Sequence, residues 1–307
     1  MSDTLKRPVL RYHGGKWNLA PWIVSQFPQH KIYVEPFGGA ASVLLRKDRS
    51  YAEVYNDLDG EIVNLFRVLR DPAQARELIR LVHLTPFSRD EFEASYITAD
   101  DPIEQARRTL FRSAAGFSTA GAGSTKWKTG FRGNVTRSGS TPAADWRNFP
   151  SVLESVVDRL RGVVIENKEA ADVIQKYDGP ETLHYIDPPY PFETRNDRWA
   201  GNCYRHELTD DQHRELSGVL KSVQGMVVIS GYACQLYDDE IYKGWHRVTR
   251  ETYADGAKQR IEVLWINRSA HKIENVYPLF GAGVVSAQQA ASPDAASAKI
   301  LSDDKRG

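Results

Sequence analysis

Only two cysteines, Cys203 and Cys234, occur in the 307 residues. Two thiols in a chain this long exclude a disulfide scaffold and fit a reducing cytosol. Long apolar runs are missing too. None approaches the roughly 18 residues of a membrane helix, so no membrane span is expected. The polar, basic start from Met1 to Arg7 has no apolar stretch behind it and does not read as a signal peptide. Paired metal-ligand spacings are lacking: Cys203 and His206 lie close together without a second pair, and no metal site is expected. Neither charge is in excess, because 40 Lys and Arg balance 40 Asp and Glu. Proteins of nucleic acids are often basic, so the balance weighs mildly against such a partner, but local distribution matters more than the total. No internal repeats are visible. What is present is an ordinary globular composition, 41% hydrophobic and 26% charged, of a length that buries roughly three quarters of its unfolded surface. A cytoplasmic location is expected.

Periodicity gives the organisation. Ile32 to Phe37 reads as a strand ending at Gly38-Gly39, followed by a helix from Ala40 to about Lys47 and a second strand from Tyr51 to Asp57. Ile62, Leu65, Phe66 and Leu69 then fall at i, i+3, i+4 and i+7, the stripe of an amphipathic helix. Strand, glycine turn, helix and strand make a βαβ unit with parallel strands. The second half repeats the style, with short apolar runs at Val163 to Glu166, Leu183 to Ile186 and Met226 to Ser230, and a helix from about Thr209 to Val223. Trp245 to Glu251 and Arg260 to Asn267 read as an antiparallel hairpin turning around Ala254-Asp255-Gly256. The fold class is therefore α/β, a parallel sheet closed by a hairpin. Residues 71–149 differ in character. Their first part is helical (Gln74 to Leu84, Ile103 to Ala114). Their second part, Gly116 to Gly139, is rich in Gly, Ser, Thr and basic residues, with Trp127 and Phe131 interleaved. They read as a mainly helical inserted domain, which leaves 1–70 and 150–280 as one discontinuous domain. The Ala/Ser/Gln-rich stretch 281–307 reads as a flexible tail.

Three places carry candidate chemistry. Glu35-Pro36-Phe37-Gly38-Gly39 ends the first strand, where glycines allow a sharp turn and close approach to a ligand. Gly-Gly after a strand is commonly just a turn, but Asp57 follows Gly38 by 19 positions at the end of the next strand. An acid at that spacing is where a nucleotide-binding fold holds ribose hydroxyls, with Asp59 and Glu61 as nearby competitors. The strongest signal is Asp187-Pro188-Pro189-Tyr190, directly after an apolar run. Two prolines can simply end a strand. They also stiffen a cup in which a carbonyl and the Asp187 carboxylate accept hydrogen bonds and Tyr190 offers a flat face, which suits an amino group on an aromatic ring. Gly14-Gly15-Lys16 is not a phosphate-binding P-loop, because Leu10 and Trp17 stand where that motif needs Gly and Ser or Thr. From Ala106 to Ala144 there are seven Lys or Arg and no Asp or Glu. Of these, Arg107, Arg112, Lys126, Lys128, Arg132 and Arg137 are expected to neutralise phosphates and some to read base edges.

Asp187-Pro188-Pro189-Tyr190 resembles the catalytic motif of amino-directed DNA methyltransferases, and the whole arrangement resembles the Dam-like, alpha-class adenine-N6 methyltransferases. Tyr12-His13-Gly14-Gly15-Lys16 resembles that family's N-terminal cofactor motif, with His13 in place of the commoner small residue. Val34 to Ser42 (VEPFGGAAS), Asn56 to Leu65 (NDLDGEIVNL) and Arg260 to Asn267 (RIEVLWIN) are similar to further family stretches. Thr194 to Glu207 resembles the loop after the tetrad in phage and prophage members. The resemblance spans about residues 9 to 267. It implies a Rossmann-like S-adenosylmethionine-dependent methyltransferase sheet with the target-recognition region inserted at 71–149, acting on double-stranded DNA. It implies S-adenosyl-L-methionine as cofactor, held by Tyr12, Gly14, Lys16, Glu35, Pro36, Phe37, Gly38, Asp57 and Asp187. It implies catalysis by Asp187, Pro188, Pro189 and Tyr190 on a flipped-out adenine, by direct in-line transfer without a metal. Arg195 and Arg198, just after the tetrad, are expected to hold phosphates beside that base. The alternatives are a cytosine-N4 methyltransferase, which usually has Ser where Asp187 stands, and a catalytically inactive DNA-binding protein. No residue pattern specifies a recognition sequence or a restriction endonuclease partner.

Overall fold

The computed structural model describes residues 5, 7–117, 128–135, 139–195, 204–254 and 258–274. The expected tail at 281–307 lies outside them. Among the described residues, seven strands form one sheet: β1 (Ile32–Glu35), β2 (Ala52–Asn56), β3 (Val163–Glu166), β4 (Thr182–Ile186), β5 (Met226–Tyr232), β6 (His246–Ala254) and β7 (Lys258–Ile266), in the order β3-β2-β1-β4-β5-β7-β6. The first five are mutually parallel. β7 runs antiparallel to both β5 and β6, with Tyr232 opposite Glu262 and Arg250 also opposite Glu262.

Apart from the edge strand β3, whose Val164 is exposed, the parallel strands are covered on both faces. Tyr33, Tyr55, Leu183, Tyr185 and Val228 point into a large cluster on one face. Their neighbours Val34 and Val54, with Ile186, Val227 and Ile229, point into clusters on the other. The second face is covered by α9 (Ala170–Lys176), α10 (Asp210–Ser222) and a π-helical turn at Leu236–Ile241, which contribute Val173, Ile174, Leu216, Leu220 and Tyr237. The first face is covered by α1 (Ala20–Ser25), α2 (Ser42–Arg46), α3 (Gly60–Arg70), α4 (Pro72–Leu84), α6 (Pro102–Ala115) and α8 (Phe149–Leu160). The short α5 (Arg89–Ala94) and α7 (Pro142–Arg147) flank them, and α11 (Arg268–Glu274) follows β7. Leu78, Val82, Leu110, Phe111, Trp146 and Phe149, all from the helical segment 71–149, join Ile62, Leu65 and Phe66 of α3 in the sheet's own cluster. That segment therefore packs into the core of the sheet rather than around a separate one among its described residues.

Two boundaries differ from the periodicity for local reasons. β1 stops at Glu35 because Pro36 has no N–H for a ladder, and its carbonyl accepts from the Asn56 side chain (2.8 Å). α2 begins at Ser42, not Ala40, because Gly39 (φ +46°) and Ala41 (φ +53°) both adopt left-handed conformations before the helix can start. Helix starts are conventional: Asp59 accepts from the Glu61 amide at α3, and Thr209 and Gln212 form a reciprocal capping box at α10. No helix among the described residues is long and apolar enough to cross a membrane.

Candidate active site

Strand order reverses at β1. Its neighbours β2 and β4 lie on opposite sides, and open α/β sheets bind ligands at such a switch point, beyond the carboxyl ends of the strands. Glu35 ends β1 and Asp187 follows the last residue of β4, so two motifs 152 positions apart in the chain meet at one cleft. The cleft holds about 490 Å³ of space between atoms, open solvent included. Tyr12, Gly14, Lys16, Glu35, Phe37, Gly38, Asp57 and Asp187 line it, together with Pro189 and Tyr204. Of the expected cofactor residues, Pro36 is not in the lining. It is buried, with its carbonyl held by Asn56.

The glycine turn is shaped by its neighbours as well as by the cleft. A Cβ on Gly38 would stand 2.1 Å from Tyr55 Cε2 and 2.9 Å from the Asn56 carbonyl oxygen. A Cβ on Gly39 would meet the Tyr12 ring at 2.9 Å, and one on Gly14 the Tyr204 hydroxyl at 2.4 Å. Asp57 closes the turn, accepting from the Gly39 amide on Oδ2 and the Asp59 amide on Oδ1, each at 2.8 Å. Burial pushes the Asp57 carboxyl up to about 6 although these two amides favour its charged form. Glu35 is more deeply buried and is pushed up to about 8.

On the other wall, the Lys16 ammonium is 3.0 Å from Asp187 Oδ1, 2.7 Å from the Gly14 carbonyl, 3.8 Å from Glu262 Oε1 and 4.7 Å from the centre of the Tyr190 ring. Burial would pull this ammonium down, but the carboxylates of Asp187 and Glu262 outweigh it and hold Lys16 above the ordinary lysine range. Ser230 of β5 also donates to Asp187 Oδ1 (2.7 Å). Both contacts therefore fall on one oxygen, and among the described residues Oδ2 keeps its lone pairs for another donor. Pro188 is buried and Pro189 lines the cleft. Tyr190 packs edge-on against Tyr232 (4.9 Å, 78°), and its hydroxyl donates to Glu262. The donor set suits a nucleoside carrying an ammonium or sulfonium centre: acidic side chains at Asp187, Asp57 and Glu35, aromatic rings at Tyr12, Phe37 and Tyr204, and a glycine cradle that any side chain would fill.

The expected DNA contacts divide. Arg107 is buried and paired with Glu104 and Glu91 (both 2.7 Å). Arg112 is 4% exposed, paired with Glu61 and donating to the Ser95 carbonyl. Arg195 forms a fork on Glu207 and donates twice to the Tyr190 carbonyl. These three guanidiniums are each paired with carboxylates of the protein itself. Their acidic partners lie outside the acid-free window: Glu104 sits just before it, at i−3 and i−4 from Arg107 and Arg108, and Glu91 and Glu61 arrive from other helices. Lys128 is exposed, its ammonium 5.4 Å from the Tyr96 ring, and Arg132 is half-buried, bonded to the Ala114 carbonyl. Lys126, Arg137 and Arg198 lie outside the described residues. Four residues of the site had no role from the sequence: Ser230, Glu262, Tyr204 and Arg205. Arg205 pairs with Asp59 (2.9 Å) and Glu61 (3.1 Å), fastening the segment after the tetrad to the start of α3. Glu262 had a signal, a lone acid in the apolar run of RIEVLWIN.

Among the described residues no group of three or more His, Cys, Asp or Glu is placed to hold a metal ion. The strand order, the hairpin and the cleft at the switch point define a Rossmann-like methyltransferase fold. The model of the family described as D12 class N6 adenine-specific DNA methyltransferase matches residues 12–255, and the chain belongs to that family. It is similar to the DNA adenine methylase of Escherichia coli, 23% identical over 297 residues covering 91% of this chain and 97% of that one. It is also similar to the DNA adenine methylase of Haemophilus influenzae (25%, 78% of this chain and 83% of that one) and to a type II methyltransferase of Lactococcus lactis subsp. cremoris (26%, 82% and 90%). The protein is thus an adenine-specific DNA methyltransferase and requires a methyl donor.

Proposed function

We propose that this enzyme takes its methyl group from S-adenosyl-L-methionine and transfers it to the N6 amino group of an adenine flipped out of double-stranded DNA, in the cytoplasm. The observation that carries the reading is the single cleft in which the glycine turn after β1 and the tetrad after β4 face each other, with Asp187 Oδ2 left without a protein donor among the described residues. When bound, the donor supplies an electrophilic methyl on a sulfonium. Asp57 would hold its ribose hydroxyls, Tyr12 and Phe37 would contact it, and Gly14, Gly38 and Glu35 would complete its wall.

The adenine amino nitrogen is conjugated to its ring and is a poor nucleophile. Asp187 and the Pro188 carbonyl would accept hydrogen bonds from its two N–H groups, which favours a pyramidal nitrogen and stabilises the positive charge that grows until the methylated nitrogen releases one proton to water. Pro188 and Pro189 keep both acceptors fixed, so orientation supplies much of the acceleration. Tyr190 provides the surface on which the extruded base stacks, replacing stacking lost from the duplex. Asp187, and not Ser, at the head of the tetrad favours adenine over cytosine as the target. Exposed Lys128, with Lys126, Arg132, Arg137 and Arg198, contributes the salt-dependent grip on the backbone.

The test uses labelled S-adenosylmethionine and unmethylated duplex DNA, with the modified base identified after digestion. N6-methyladenine is expected. Asp187→Ala should lower turnover by about 1000-fold, the scale of losing a charge-stabilising group, while DNA affinity stays within a few fold. Label on cytosine, or an Asp187→Ala enzyme of normal turnover, overturns the assignment.

A further inference from the structure

We propose that Glu262 of β7 is a positioning residue of the active site, which holds the Lys16 ammonium off Asp187 Oδ2 and locks the Tyr190 ring that receives the target base. The inference rests on the assignment of Asp187 and Tyr190 to the target adenine.

Glu262 is 2% exposed, and a carboxylate so buried persists only when paired. Its Oε1 accepts from the Tyr190 hydroxyl and faces Lys16 at 3.8 Å. The Lys16 ammonium is thereby suspended between two carboxylates, close to Asp187 Oδ1 and within ion-pair range of Glu262. Within 4.0 Å, and among the described residues, these are its two acidic neighbours. Without the charge on Glu262, Asp187 is the one remaining, and an ammonium with three donors can reach across both of its oxygens. The oxygen it would cover is the one the adenine amino group needs. The second effect is on Tyr190. Its ring is fixed at three points: its edge on Tyr232, one face towards Lys16 and its hydroxyl on Glu262. A stacking platform loses precision when its one polar anchor goes.

The test compares Glu262→Gln with wild type and with Asp187→Ala in steady-state methylation of duplex DNA. Rates are normalised to the fraction of enzyme that binds DNA, so that misfolded protein does not count. Gln keeps an acceptor for Tyr190 and removes the charge opposite Lys16. The expected result is a kcat lowered by about 10- to 100-fold, the scale of a mis-set near-attack geometry, with KM for DNA and donor within about threefold. The double variant Lys16→Gln/Glu262→Gln should be no slower than Lys16→Gln alone, because the interfering ammonium is gone. Normal kcat in Glu262→Gln overturns the proposal. So do losses that multiply in the double variant, as two independent structural defects would. If Asp187→Ala also turns over normally, the assignment of the site has failed, and not merely the role of Glu262.

Discussion

Replacing Glu35 with Gln should make this enzyme more stable and less able to hold its donor. Glu35 is 2% exposed, and both hydrogen bonds it accepts, from the Tyr33 hydroxyl (2.7 Å) and the Leu44 amide (3.0 Å), reach the same oxygen, Oε2. A Gln carbonyl can keep both. Burial, reinforced by the Asp187 charge and opposed by the two hydrogen bonds, pushes the Glu35 carboxyl from 4.5 to about 8. A carboxyl whose pKa is higher folded than unfolded opposes folding once it ionises. That opposition is absent below about pH 4.5, grows by about 1.4 kcal/mol per pH unit up to about 8, and is constant above. At pH 7 it amounts to about 3 kcal/mol. Burying the Gln amide returns part of that, so a net gain of about 1–3 kcal/mol is expected, or roughly 2–6 °C in Tm for a chain of this size. The assay is thermal unfolding of both proteins without donor from pH 5 to 8.5. The variant should melt higher, and the gap should widen as pH rises. Equal melting across the range, or a gap that narrows towards pH 8, would refute the reasoning. Because Glu35 lines the cleft, donor affinity should fall in the same variant, a trade of function for stability.

Gly38→Ala should lower Tm and the yield of folded protein by an amount set by overpacking, about 1–3 kcal/mol or more, because its Cβ meets the buried Tyr55 ring and the β2 backbone. Unfolding by denaturant measures it, and a neutral result would mean the turn is looser than the geometry implies. Arg112→Ala should cost about 1–3 kcal/mol by removing one of the two guanidiniums that hold Glu61, Arg205 being the other, yet leave the salt dependence of DNA binding unchanged. Lys128→Ala should do the reverse, with an unaltered Tm and a slope of log affinity against log salt that falls by about one. Exchanged outcomes for the last two would show that burial and pairing do not separate bracing arginines from DNA-facing lysines.

What the sequence made legible follows from how each feature is encoded. β1, β2, β4 and β5 are buried on both faces, so they stand out as short apolar runs whatever the tertiary arrangement. The tetrad and the glycine turn are local, since proline stiffness and glycine freedom act within a few residues. α9 and the π-helical turn at 236–241 were not legible, because they are short and their apolar residues are too few to mark a period. Ion pairing is encoded differently. A guanidinium is neutralised by whatever carboxylate lies within about 4 Å, and for Arg112 that is Glu61, 51 positions away. Counting along the chain finds salt bridges only when partners share a helix turn, as Glu104 and Arg108 do.

The residues that complete the site could have been reached by one further step, from pairing to register. A hairpin closing the sheet was expected, but its position beside β5 decides what it brings. Because β7 runs antiparallel to β5, the early residues of β7 lie at the end of the sheet where β5 finishes and where the tetrad follows β4. Tyr232 is directly opposite Glu262, and Ser230 directly opposite Leu264. Side chains alternate along a strand, so Ser230 and Tyr232 share a face, and their partners Glu262 and Leu264 share it with them. On that face Ser230 reaches Asp187, Tyr232 braces Tyr190, and Glu262 holds both Tyr190 and Lys16. A slip of one residue in the β5–β7 register would turn Glu262 to the opposite face and put the exposed Ile261 or the core residue Val263 in its place. The antiparallel strand is therefore more than a sheet edge: its register sets the electrostatics around Asp187, the proposed acceptor for the adenine amino group.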